Sequence, residues 1–195
     1  MLPYLKNLQK SSQYELGIHP NFNGLFDQSE QRSAFTIIDD ILSIVPRAKS
    51  YRAHALTNST FLLKYLNEKG IRYDCNTYIP LGSMVLTPFD APFDIKKIPF
   101  FFEDDIYFFH SKNRPSVHEY INAPGIKVFN FHPIHLFLNT ESLKTYESAR
   151  GSFHNYLSLK THINNVSFGA RDFFTQLIDA ALNEGYSFLQ IQQVH

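Results

Sequence analysis

Imidazoles and carboxylates gather at a few places in this sequence. His19 opens the run His19-Pro20-Asn21-Phe22, and Arg52 and His54 flank Ala53. Glu103, Asp104 and Asp105 are consecutive, and His132 and His135 bracket Pro133-Ile134. Two or three imidazoles with a carboxylate make the donor set of a divalent metal that keeps one coordination position open. An imidazole beside a carboxylate is also the equipment of general acid–base catalysis. Each group has a plainer reading. His-Pro-Asn is good turn chemistry, Arg52 suits a structural ion pair, and His54 stands where it could cap the next helix. At least one of the three carboxylates is expected in a solvated turn. On an extended chain His132 and His135 need not face the same way, so one of the two is expected to be structural. His110, His118, His154 and His162 lie in polar, loop-like stretches and read as surface residues.

Several other chemistries find no support. There is no nucleophile elbow, no phosphate-cradling glycine loop and no His-Glu-x-x-His helix, so serine hydrolysis and nucleotide binding have nothing to stand on. The 18 basic and 18 acidic side chains cancel, which lacks the basic footprint that phosphate backbones demand; nucleic acid is not an expected partner. Cys75 is the one cysteine, which rules out an intramolecular disulfide and a cysteine-rich zinc site. No apolar run reaches the length of a signal peptide or a membrane span, so a cytoplasmic chain is expected. With 19 Phe and 11 Tyr but no Trp in 195 residues, the core or a groove should be lined by aromatic rings.

The elements that must position these groups alternate in type. Residues 2–10 read as a short helix and Tyr14–Ile18 as a short strand ending at His19. A helix follows from about Ser29 to Val45, capped by Asp27 or Ser29, with Phe35, Ile38, Ile41, Leu42 and Val45 as its apolar stripe and Pro46 as its stop. A strand at Lys49–Arg52 runs into Ala53-His54. A helix beginning at Asn58-Ser59-Thr60 buries Phe61, Leu62, Tyr65 and Leu66 and ends at Gly70. Tyr73–Asn76 begins another strand, and the stretch from Pro80 to Pro99 reads as an excursion containing a hairpin. Ile98–Phe102 and Lys127–Phe131 are short runs of buried-strand type. Residues 139–168 show no clear pattern. A last helix carries Phe173, Phe174, Leu177, Ile178, Ala181 and Leu182, and a strand over Ser187–Ile191 is expected to close the chain.

Short apolar strands alternating with amphipathic helices imply parallel β-structure covered by helices, as a barrel or as an open sheet. The polar groups tip the balance towards an α/β fold of the (β/α) barrel kind. Four strands are followed at once by reactive side chains, and in such barrels the strand ends converge on one mouth.

Several segments resemble the polysaccharide deacetylases of the NodB-homology type, which belong to carbohydrate esterase family four. Glu15-Leu16-Gly17-Ile18-His19 is similar to the strand that carries the family's first metal histidine. Tyr51-Arg52-Ala53-His54 falls where the family has Arg-x-Pro, and Phe129-Asn130-Phe131-His132 where it has a late histidine acting as general acid. Gly185-Tyr186-Ser187-Phe188-Leu189 resembles its closing strand. His19-Pro20-Asn21-Phe22-Asn23, Arg-x-His, Phe-x-Glu-Asp-Asp and Asn-Phe-His-Pro-Ile-His together look like the WbmS-like branch. The resemblance runs from about residue 12 to residue 191.

It implies an incomplete (β/α) barrel of the glycoside hydrolase/deacetylase type, forming a single domain over residues 1–195 that is short at its N-terminus. It also implies a metal-dependent hydrolase of carbon–nitrogen bonds acting on N-acylated sugars of a surface polysaccharide or its precursor. The implied metal is zinc, with His19 and His54 as ligands, His54 replacing the second histidine because position 23 is Asn23. His132 would be the general acid, and Asp104 or Glu103 would take the base role that the family gives to an aspartate on its first strand. Arg52, His135 and Asn21 would contact the carbohydrate. A barrel lacking its first strands has open edges that must be covered, and pairing with another chain as an oligomer is one way to cover them. The alternative is a catalytically inactive carbohydrate- or partner-binding remnant of the same fold.

Overall fold

The structure, a computed structural model, describes residues 3, 4, 7, 14–112 and 114–194. Most of the expected 2–10 helix lies outside the described residues. Contacts gather into two compact units. The first comprises residues 1–78, 87–99 and 188–195, and the second residues 79–86 and 100–187.

In the first unit a short helix, α1 (Asn23–Phe26), precedes α2 (Ala34–Ile44). The α2 helix starts later than expected because Ser33, not Asp27 or Ser29, is its cap: the Ser33 hydroxyl accepts from the Thr36 N–H at 3.1 Å. Ile37 and Ile38 are buried on its inner face, with Ile41, Leu42 and Val45 packed beside them. Phe35 departs from the expected stripe, being 42% exposed with its ring on Tyr65. The next helix, α3 (Thr60–Glu68), is capped by Ser59 and buries Leu62, Leu63 and Leu66. Phe61, expected inside, is 80% exposed.

These helices pack with a four-stranded sheet in the order β1 (Ser50–Tyr51), β2 (Tyr73–Asp74), β4 (Ile95–Lys97), β3 (Phe89–Ala91). The pairs β1–β2 and β2–β4 are parallel. The antiparallel β3–β4 pair is the expected hairpin within the 80–99 excursion. The anticipated strand over 14–18 reduces to one parallel bridge from Ile18 to Tyr51. Gly17 permits that approach, since a Cβ there would stand 2.6 Å from the Ser50 hydroxyl oxygen and 2.8 Å from its carbonyl oxygen. Residues 187–191 do not form the expected closing strand. Phe188 and Leu189 are each 60% exposed, and the segment runs into a 3-10 turn at Ile191–Gln193.

The second unit is built around a parallel pair, β5 (Phe102–Glu103) and β6 (Phe129–Asn130). A π-helical turn, Ile106–His110, follows β5. Five helices complete the unit: α4 (Val117–Asn122), α5 (Pro133–Leu138), α6 (Leu143–Ala149), α7 (Tyr156–Lys160) and α8 (Ala170–Asn183). Its core is aromatic, as the composition implies. Phe101, Phe102, Tyr107, Phe108, Tyr120 and Phe173 are all buried, and Phe102 stacks on Phe173 at 4.6 Å between ring centroids. The observed architecture is therefore mixed α/β, with parallel strands two or three residues long. Among the described residues, no helix is long and apolar enough to cross a membrane.

Candidate functional site

Two groups of the expected side chains come together, one in each unit. In the first unit the segment leading to His19 runs beside β1 and its continuation. Ile18 N–H donates to Ser50 O at 3.0 Å, Arg52 N–H to Ile18 O at 3.1 Å, and His54 N–H to Pro20 O at 2.8 Å. This parallel ladder brings the His19 and His54 rings edge to face, with centroids 5.8 Å apart. His19 Nδ1 lies 2.6 Å from the Arg52 carbonyl oxygen. A carbonyl can only accept, so Nδ1 carries the proton and the neutral ring has its lone pair on Nε2.

A buried polar network holds the strand ends beneath this pair. Asp74, 0% exposed, accepts from Asn76 N–H (2.9 Å), Asn76 Nδ2 (2.6 Å), Asn58 Nδ2 (2.8 Å) and Lys97 Nζ (2.6 Å). Asn76 Oδ1 in turn accepts from the Ala53 N–H at 2.8 Å, fixing the backbone between Arg52 and His54. The sequence reading missed Asp74 and Asn76, although Asp74 ends β2 and Asn76 comes two residues later, and a strand end is the signal used for the other sites. Asn21 sits at an exposed turn, where its Oδ1 accepts from the Asn23 N–H at 2.9 Å.

The second unit assembles Glu103, Asp104, Asp105, His132 and His135. Parallel pairing of Glu103 with Asn130 places the ends of β5 and β6 side by side. Asp104, 1% exposed, gives both carboxylate oxygens to His132. Its Oδ2 accepts from the His132 backbone N–H at 2.7 Å and its Oδ1 lies 2.6 Å from His132 Nδ1. The Asp105 N–H also donates to Oδ1, at 2.9 Å. A carboxylate accepts from three donors here, so the imidazole is held with Nδ1 protonated and Nε2 pointing away from Asp104. His132 Nε2 is 3.9 Å from Glu103 Oε1.

His135 is buried against Phe109 and Tyr146, with its Nδ1 3.2 Å from the Thr140 hydroxyl. Its burial pushes its pKa below the ordinary imidazole value, opposed by the nearby Asp104 charge. Thr140, its partner, was not singled out in the sequence. Of the four histidines read as surface residues, His110, His118 and His154 are exposed; His162 is half-buried against Ser148 and Ser152.

In the first unit, His19 is held by a backbone carbonyl on the nitrogen opposite its lone pair, as metal-bound histidines commonly are. The His19–His54 pair thus fits as two nitrogen donors. Among the described residues no third His, Cys, Asp or Glu completes a metal-binding group with them. In the second unit two groups of three satisfy the spacing: Asp104, His132 and His135, and Glu103, Asp105 and His132.

With this geometry in place, the comparisons with known proteins are specific. The WbmS-like polysaccharide deacetylase family model matches residues 1–150. A solved structure from Bordetella bronchiseptica, WbmS, assigned as a polysaccharide deacetylase involved in O-antigen biosynthesis, matches with a TM-score of 0.81 and 34% identity. The match covers 91% of this chain and 74% of that one. No curated protein matches. The chain belongs to the WbmS-like polysaccharide deacetylase family.

Proposed function

We propose that this protein is a metal-dependent amide hydrolase that removes the acyl group from an N-acylated sugar of a surface polysaccharide or its precursor. The observation that carries this reading is the Asp104–His132 pair. A buried carboxylate fixes one nitrogen of a histidine and its backbone, and the other nitrogen, Nε2, would handle the proton. In amide hydrolysis water adds to the acyl carbon, the carbon–nitrogen bond breaks, and the leaving amine must be protonated. His132 Nε2 is the proposed donor of that proton. Asp104 has both oxygens committed to His132, so it serves to orient and stabilise the imidazolium. Glu103, with its Oε1 3.9 Å from His132 Nε2, is the candidate to take the proton of the attacking water.

His19 and His54 are the proposed ligands of the metal, zinc being the ion that suits nitrogen donors. A bound divalent ion would supply Lewis-acid polarisation of the acyl carbonyl. Arg52, His135 and Asn21 remain the proposed carbohydrate contacts. The same reading takes the chain as a single deacetylase domain, supported by a family match that includes residues of both units. It takes the fold as an incomplete (β/α) barrel of the glycoside hydrolase/deacetylase type, working in the cytoplasm on a sugar precursor.

The test is acetate release from N-acetylglucosamine oligomers by the full chain and by His132→Ala. Loss of the general acid should lower kcat on the order of 10²- to 10⁴-fold while zinc binding at His19 and His54 persists. An unchanged rate in His132→Ala contradicts the assignment.

A further inference from the structure

The second unit carries more ligand chemistry than proton transfer requires. Beside His132 stand two carboxylates that Asp104 does not replace: Glu103, which is buried, and Asp105, which is half-buried. One donor atom each from Glu103, Asp105 and His132 lies within 4.8 Å of the other two. His132 Nε2 and Glu103 Oε1 are already 3.9 Å apart. Two ligands on one ion at ordinary zinc distances stand roughly 3–4 Å from each other, so modest side-chain rotation closes the group.

The opposite side of the ring strengthens the case. Metal-bound histidines commonly donate their other N–H to a carboxylate, which fixes the ring and raises its basicity. Asp104 does this to His132 Nδ1 at 2.6 Å. The alternative group of Asp104, His132 and His135 is less suited, because coordination by Asp104 would compete with the bonds it accepts from His132 N–H and Nδ1.

We propose that Glu103, Asp105 and His132 form a second divalent-cation site, with Asp104 as the outer carboxylate, and that filling it silences the general acid. An ion on Nε2 occupies the lone pair that must carry the proton, and it engages Glu103 as well. The inhibitory consequence rests on the proposed role of His132; the binding does not.

Equilibrium dialysis of the full chain against zinc separates the two sites. The wild type should bind two ions, one of them lost in His19→Ala and the other held by Glu103, Asp105 and His132. Asp105→Asn, which keeps an oxygen to accept from the Ile106 N–H, and Glu103→Gln should each weaken this second ion at least tenfold while the ion lost in His19→Ala is kept. Asp104→Asn should weaken it on the order of 10- to 100-fold, as loss of an outer-shell partner does. Acetate release should fall as the second site fills. If Asp105→Asn and Glu103→Gln both leave the second ion untouched, the site is overturned; undiminished turnover with it full overturns the inhibition. Zinc binding unaltered by His19→Ala would instead remove the ligands assigned to the first site and leave this one standing.

Discussion

At the scale of single residues, a carboxylate's neighbours decide what it can do. Asp104 and Asp105 are adjacent in sequence and both acidic, yet Asp104 is 1% exposed with both oxygens on His132, while the Asp105 side chain accepts from the Ile106 N–H. The sequence places an imidazole and a carboxylate at two strand ends; only the fold says which of three consecutive carboxylates meets which ring. Cys75 is a similar case. It stands between Asp74 and Asn76, part-buried, and burial together with the Asp74 charge pushes its thiol up to about 12. At pH 8 the native thiol should react with an alkylating reagent on the order of a thousandfold more slowly than in denaturant, because the thiolate is the nucleophile. The sign for stability follows from the raised value. Burial of the neutral thiol costs nothing below the unfolded pKa of about 8.5, and stability is lost as pH rises from there towards 12. Labelling of the folded chain at the free-thiol rate would show that the burial is not maintained.

At the scale of elements, caps and strand ends carried more information than periodicity. The strand-end rule singled out His19, Arg52, His54, Glu103, Asp104 and His132, which lie at or just beyond the Ile18 bridge and the ends of β1, β5 and β6. The same rule applied to β2 would have found Asp74 and Asn76. Helix starts were harder, since Asp27, Ser29 and Ser33 are all good caps and only backbone geometry selects Ser33. The 139–168 stretch showed no pattern because α6 and α7 span only 7 and 5 residues, too short for an apolar stripe to repeat. The 187–191 segment contains strand-favouring Phe188 and Ile191, but Phe188 and Leu189 are left largely exposed. A residue in the 139–168 stretch nevertheless holds a helix in place. Asn139, at φ 52°, accepts on Oδ1 from the Arg171 and Asp172 N–H groups at the start of α8, and donates from Nδ2 to Asn164 O and Asp172 Oδ2. Asn139→Ala removes a cap and leaves half-buried groups without that partner, so it should cost about 1–3 kcal/mol in denaturant unfolding. A loss below about 0.5 kcal/mol, the range of ordinary surface substitutions, would contradict that role.

At the scale of the whole molecule, the family was legible and the architecture only in part. Short motifs in the right order, from His19 through Arg52-Ala53-His54 and Phe102-Glu103-Asp104 to His132, point to a deacetylase, and the family match over residues 1–150 agrees. The extent of the strands was not legible, because runs such as Phe100–Phe102 are apolar for packing reasons that reach beyond the two residues actually paired. The central claim is that these motifs still work as a metal-dependent hydrolase. Zinc content of the purified full chain, by elemental analysis beside His19→Ala, tests it most directly. The account predicts at least one zinc per chain in the wild type and loss of one bound ion in the variant. A wild-type chain that takes up no zinc, even after reconstitution, would contradict it.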